Sequence, residues 1–447
     1  MISPLALTGL VLLAIAVLLF LVLLVRLHAF VALLLISLLV ALLGGIPPER
    51  VADVLREGMG GTLGYIAVVI GLGAMIGQLL EHSGGTACIA RALLARFGEK
   101  RAPWALALTG FLVAIPVFFD VALILLLPLV YSLAHRTGRS LLYYALPLAA
   151  GIAVAHSFIP PTPGPVAVAG LLGADLGWVI LLGVLVGLPA TILGGIVFGR
   201  WMAARLHVPV PTHLFDEPTD AAHPQPSFLQ ALSVILVPLM LILLGTAAGA
   251  FLPEGHVLRP PLRLLGHPFT ALVLGTLLAC YLLGVRLGYP MRVVQQIASK
   301  ALEPVGLILL VTGAGGVLSR VLVETGAGQI LAEQLASTQL PIVLLAFGIA
   351  MVVRVAQGSA TVSMVTAAGL IAPVVQADTY SQPLLALITL AIASGATVLS
   401  HVNDSGFWLV SRYLDLSEAD TLRVWTVLET ILGLSGLVAV LLLSLLL

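Results

Sequence analysis

Apolar runs of membrane-spanning length recur along the whole chain, and they constrain the fold more than any other feature. They lie at about Leu5–Val25, His28–Leu43, Gly61–Leu80, Leu141–Ala155, Leu176–Phe198, Phe228–Phe251, Pro268–Leu287, Val305–Val323, Pro383–Leu399 and Val424–Leu447. A bilayer core about 30 Å thick takes roughly 20 residues of helix. It offers lipid-facing backbone no partner, so these runs read as helices that satisfy their own backbone. Of the 447 residues 60% are hydrophobic and only 9% are charged, too few charges to cover a soluble surface. The expectation is an all-α polytopic membrane protein. Lys+Arg and Asp+Glu balance at 20 each, which argues against a nucleic-acid partner. Cys88 and Cys280 stand far apart and fit no disulfide or metal framework, so neither metal nor cofactor is expected. Met1 to Phe20 lacks a basic start and a small-residue cleavage site, and reads as a retained first span.

Two further apolar stretches, Pro103–Tyr131 and Pro341–Val375, are too long for one crossing and are broken by polar residues or proline. Arg91, Arg96, Lys100 and Arg101 precede the first, and Arg136 and Arg139 follow it. Basic residues favour the cytoplasmic side, so this segment enters and leaves on that side. Its counterpart is flanked by Glu324, Glu333 and Asp378 without Lys or Arg, and both its ends read as external. The same bias leaves both termini external. The halves also share glycines in order: Gly64 with Gly306, Gly71 with Gly313, Gly73 with Gly315 and Gly84 with Gly326, and further on His156 with His401. Such a pattern points to two inverted-topology repeats, each with a re-entrant helical hairpin and a broken transmembrane helix. Residues 1–206 form the first repeat, with its hairpin at about 103–131 and its broken helix at about 141–174. Residues 207–227, rich in Pro, Asp, Glu and His, form a cytoplasmic linker. Residues 228–447 form the second repeat, with its hairpin at about 341–375 and its broken helix at about 383–414.

Four polar interruptions converge in this scheme. The hairpin tips read Ile115-Pro-Val-Phe-Phe-Asp120 and Arg354-Val-Ala-Gln-Gly-Ser-Ala-Thr361. The broken helices carry His156-Ser-Phe-Ile-Pro-Pro-Thr-Pro-Gly-Pro165 and His401-Val-Asn-Asp-Ser-Gly406. Unwound backbone at membrane depth is tolerated around a cavity, where half-helix N-termini attract anions. Arg354 either pairs with a carboxylate such as Asp404 to hold the fold, or grips a substrate carboxylate with its bidentate fork. Ser359 and Thr361, beside Gly358, either bond back to helix carbonyls or face a ligand. His156 and His401 either tie down broken backbone or handle protons. Asp120 and Asp404 are the better proton carriers, because a carboxyl group withdrawn from water holds its proton more readily.

Five of these stretches together resemble the gluconate permease (gluconate:proton symporter) family: Gly71-Leu-Gly-Ala-Met75, Gly110 to Asp120, Pro160-Pro-Thr-Pro-Gly-Pro165, Gly358-Ser-Ala-Thr-Val362 and His401-Val-Asn-Asp-Ser405. The resemblance runs from about Gly58 to the C-terminus. It implies a bacterial inner-membrane importer of gluconate or a related sugar acid, driven by protons and built on the ion-transporter fold with opposed hairpins. A homodimer is implied as well. Thr162 departs from the family pattern, in which histidine is common at that place. The substrate site expected here comprises Arg354, Gly358, Ser359, Thr361, His156, Ser157, Thr162, His401, Asn403, Asp404 and Ser405, with helix N-termini near Ser157 and Asn403. Asp120, Asp404, His156 and His401 are the proton-coupling candidates. The alternatives are a symporter for glycerate or D-serine, and an uncoupled organic-anion channel. No nucleophile–base or metal motif of an enzyme occurs.

Overall fold

Proline and small polar side chains set the helix starts. Pro48, Pro163 and Pro268 each occupy the first turn of a helix, where the missing N–H costs nothing. Ser227, Ser381 and Asp175 accept hydrogen bonds from the first backbone amides of theirs. The computed structural model describes residues 4–211, 224–327, 330, 340–377 and 379–446, and no strand occurs among them. The first half holds α1 (Pro4–Leu23), α2 (Ala29–Leu43), α3 (Pro48–His82), α4 (Gly85–Phe97), α5 (Ala102–Val113), α6 (Phe119–Thr137), α7 (Leu142–Phe158), α8 (Pro163–Leu172) and α9 (Leu176–Arg205). The second holds α10 (Phe228–Phe251), α11 (Arg259–Leu265), α12 (Pro268–Leu287), α13 (Met291–Lys300), α14 (Val305–Glu324), α15 (Ile342–Gln357), α16 (Ala360–Gln376), α17 (Gln382–Thr397), α18 (Ser405–Tyr413) and α19 (Glu418–Ser444). Among the described residues, 8 helical stretches are long and apolar enough to cross a membrane, counting α7 with α8 as one.

Two helix–turn–helix units and two interrupted helices organise the interior. Helices α5 and α6 fold back on each other through Ala114–Phe118, and an ion pair of 2.6 Å between Glu99 and Arg136 joins their open ends. Helices α15 and α16 fold back through Gly358 and Ser359. The α7–α8 helix is interrupted at Ile159–Thr162, and the α17–α18 helix at Val398–Asp404. In both halves the first hairpin arm packs along the first part of the interrupted helix, α5 on α7 and α15 on α17. The second arm packs against the other half's interrupted helix, α6 on α18 and α16 on α8. Small residues permit the first of these crossings. A Cβ at Gly151 would collide with the Ala107 carbonyl, so the α5 and α7 backbones meet where a larger residue would hold them apart.

Bonds between helix ends join ends that the charge bias assigns to one side. Ser140 donates to the Leu206 carbonyl at 3.0 Å, Tyr131 to the Tyr413 carbonyl at 2.6 Å, and Arg91 to Gln225, all on the basic side. On the other side the Asp175 amide donates to Gln382 at 2.7 Å, Thr246 to the Asp175 carboxylate at 2.6 Å, and Arg50 pairs with Glu324 at 3.1 Å.

Two expected spans begin too late. The third starts at Pro48, not Gly61, because Glu49, Arg50, Asp53, Arg56 and Glu57 line one face while Val51 and Val54 bury the other. Its polar face pairs outward, with Glu57 taking Arg320 at 3.0 Å. The last span starts at Glu418, capped by Ser417, rather than at Val424. Glu333, Asp378 and most of the expected 207–227 linker lie outside the described residues.

Candidate substrate site

Three helices begin at one place. The N-termini of α6 (Phe119, Asp120), α16 (Ala360, Thr361) and α18 (Ser405, Gly406) border a cavity of about 190 Å³. At about 30 Å³ per liquid water this is roughly six waters' worth of space. The last residues of α7 (Ala153, His156, Ser157) and residues Trp425 and Glu429 of α19 complete its wall with Phe118, Arg354, Ser359 and Asp404. The first backbone N–H groups of a helix have no partner within it, and the macrodipole adds positive potential there. Phe118 provides no side-chain cap for α6. Ser359 caps α16 and Asp404 caps α18, so the uncapped start of α6 is where an anion is the complementary occupant.

Arg354, in the last turn of α15, is 2% exposed. Its Nη2 donates to Asp404 Oδ2 at 2.6 Å, while Nε and Nη1 are buried without a partner. Both readings of Arg354 thus meet in one side chain: Nη2 holds the fold, and the other two nitrogens still have donors to give. Asp404 is itself held by the Ser400 hydroxyl and by the Gly406 amide at 3.2 Å, which caps α18. Trp425 Nε1 donates to Ser400 Oγ at 2.7 Å. This Trp425–Ser400–Asp404–Arg354 chain fixes the guanidinium from three separate elements. Phe119 packs on Trp425 with ring centroids 5.3 Å apart, so the first hairpin tip leans on α19 beside the cavity.

Of the expected site residues, Arg354, Ser359, Thr361, His156, Ser157, Asp404, Ser405 and Asp120 border this one cavity. Gly358, His401, Asn403 and Thr162 do not. Gly358 adopts φ +88°, and a Cβ there would meet the Asn403 carbonyl, so the tip rests directly on the second break. His401 Nε2 and Asn403 Nδ2 both donate to the Val355 carbonyl, at 2.8 and 2.9 Å, satisfying an acceptor at the C-terminal end of α15. Of the two roles open to His401, tying down broken backbone is the one its geometry fits. Thr162 turns its hydroxyl back onto the Ile159 carbonyl. Ser157 lies at the C-terminal end of α7, so the helix N-terminus expected there is absent, and a C-terminus stands in its place. His156 and His401 are also not equivalent: the first is inside the last turn of α7, the second lies beyond the end of α17. His156 packs against Phe118 with ring centroids 6.3 Å apart, and its Nδ1 is buried without a partner.

The expected set omits Glu429, Trp425, Phe118 and Phe119. Glu429 carried a signal, because it is an acidic residue inside an apolar run that otherwise reads as a plain span, and such residues mark function by default. Trp425 reads as an interface anchor in the sequence, yet it is 2% exposed.

The chain matches the GntP family permease description over residues 6–446. It belongs to that family. The low-affinity gluconate transporter of Escherichia coli (strain K12) is 42% identical over 423 residues, covering 95% of each chain. The inner membrane permease YgbN of the same organism is 41% identical over 445 residues, covering 97% of each. Among solved structures the YdaH transporter of Alcanivorax borkumensis shares the fold, with a TM-score of 0.65 at 15% identity over 92% of this chain and 96% of that one. The protein is a multi-pass membrane protein of the bacterial inner membrane, and its family members are permeases and transporters rather than enzymes.

Proposed function

We propose that this GntP family member imports gluconate or a closely related sugar acid by proton symport, with alternating access around the Arg354 cavity. The observation that carries the reading is the buried guanidinium with two unpartnered N–H groups, set at the meeting point of three helix N-termini. A carboxylate is the acceptor that such a cation complements, through charge-assisted hydrogen bonds from the donors that Asp404 leaves free. The similarity to a gluconate transporter, 42% identical over 95% of both chains, supplies the sugar acid. Thr361, Ser359, Ser405 and Asp120 stand around the cavity where polyol hydroxyls would need donors and acceptors.

The reading includes two inverted repeats with re-entrant hairpins at 102–137 and 342–376. The matched packing of α5 on α7 with α15 on α17, and of α6 on α18 with α16 on α8, supports it. It also includes a homodimer, as the family resemblance implies. Coupling has a physical basis, since moving an anion together with a proton carries no net charge across the membrane. Uptake into proteoliposomes with and without an inward proton gradient, across gluconate, glycerate and D-serine, tests it. Saturable uptake of gluconate that rises with the gradient is expected. Flux that neither saturates nor responds to the gradient would mark a channel, and dependence on sodium would overturn the coupling.

A further inference from the structure

Three carboxyl groups border the cavity, and they are not alike. Asp404 is occupied by Arg354, Ser400 and the Gly406 amide. Asp120 is exposed. Glu429 is only 5% exposed, and its Oε1 is buried with no hydrogen-bond partner. A buried carboxylate left uncompensated is unfavourable, and a bound proton removes that cost.

From this placement we infer that Glu429 takes up the coupling proton, and binds it together with the substrate anion. The assignment rests on the proton-symport reading. Every charged or titratable group facing Glu429 bears on it. Helix α15 contributes Arg354, α7 contributes His156, α6 contributes Asp120, and the 398–404 break contributes Asp404. Helix α17 carries no titratable residue, and α9 has only Arg200 and Arg205, both in its C-terminal turns. On α19 itself Glu418, Asp420 and Arg423 precede Glu429, with Asp420 and Arg423 paired at 3.6 Å.

At a pH alkaline enough to remove the Glu429 proton from the empty protein, the group of Arg354, Asp404 and Glu429 carries one formal negative charge. A substrate carboxylate and a proton on Glu429 together leave that charge unchanged, whereas the anion alone doubles it. The loaded and empty carriers can therefore reorient under the same electrostatic condition, and the half-loaded one is disfavoured. A proton on His156 would instead place a second cation near Arg354. The neutral Glu429 acid gains a donor, which can meet an oxygen of the substrate, while the ionised form repels it.

Three measurements on purified wild type and Glu429→Gln test the assignment: proton uptake on adding gluconate to weakly buffered protein, read with an indicator dye; accumulation of gluconate in proteoliposomes driven by a pH gradient; and gluconate–gluconate exchange at equal pH. At a pH alkaline enough to ionise Glu429 in the empty protein, the expected result is a dye signal of about one proton per gluconate in wild type and none in E429Q, with gradient-driven accumulation lost and exchange no longer varying with the common pH. Glu429→Asp, which keeps an acid, is expected to restore the dye signal, and Glu429→Ala replaces E429Q if the latter does not fold. Wild-type protein that accumulates gluconate without any response to the gradient overturns the symport reading and this assignment with it. Wild type that responds, with E429Q keeping both dye signal and accumulation, overturns the assignment of Glu429 alone. A signal that survives E429Q and disappears in Asp120→Asn gives the proton to Asp120 and has the same effect.

Discussion

Replacing Arg354 with glutamine separates its two roles. The unpartnered Nε and Nη1 groups of the guanidinium offer two charge-assisted hydrogen bonds to substrate oxygens. Each is worth about 1.5–3 kcal/mol, so affinity should fall by about 3–6 kcal/mol, or roughly 10²- to 10⁴-fold in Kd. Nη2 pairs with Asp404 at 2.6 Å. Removing one partner of a buried pair costs about 3–5 kcal/mol of stability, and the lower end applies because Asp404 keeps its Ser400 and Gly406 donors. Equilibrium binding of labelled gluconate to detergent-purified protein reads the first effect, and thermal unfolding with and without gluconate reads the second. The combination Arg354→Gln with Asp404→Asn decides between them. It removes the orphaned charge, so stability should return towards wild type while binding stays lost. If the double variant regains high-affinity gluconate binding, Arg354 serves the fold only and the carboxylate-grip argument fails.

Other substitutions follow from the same geometry. Gly358→Ala forces a side chain into a φ of +88° and against the Asn403 carbonyl; at least about 1–2 kcal/mol of stability should go, together with uptake, as measured by thermal unfolding and transport. Asn403→Ala removes one of two donors to Val355 and should cost about 0.5–1.5 kcal/mol of stability with gluconate Kd unchanged. A large loss of affinity in that variant would place Asn403 in contact with substrate. Trp425→Phe keeps the ring beside Phe119 but takes away the donor to Ser400; binding should weaken by about three- to tenfold, since the Asp404–Arg354 pair loses one support. Arg320→Ala, which breaks partly exposed pairs with Glu57 and Glu324, should change stability by no more than about 1 kcal/mol and leave uptake intact.

Helix placement was legible in the chain itself because it depends on local chemistry. A run such as Phe228–Phe251 has one way to satisfy its backbone in lipid, and its observed helix has the expected bounds. The prolines between Pro160 and Pro165 interrupt a helix whatever surrounds them, and α7 ends at Phe158. Gly358 and Ser359 likewise announced the tip between α15 and α16. Where polar and apolar residues alternated on two faces, as from Pro48 to Gly60, hydropathy alone placed the helix start too late.

The cavity wall was a different matter. Arg354, Asp404 and Glu429 come from three elements, and their meeting depends on how α15, the second break and α19 pack. Residue type told that His401 and Asn403 were polar at depth, but not that both would turn to one carbonyl at the hairpin tip. The direction of a half-helix also escaped local reading: a proline-rich break has a C-terminus on one side and an N-terminus on the other, and only the packed chain sets which of them faces the cavity. Hydrophobicity and proline act within a few residues, so apolar runs and breaks are written into the sequence. Orientation of a side chain at a break is chosen by neighbours from distant segments, so the binding wall, Glu429 included, came into being only with the assembled helices.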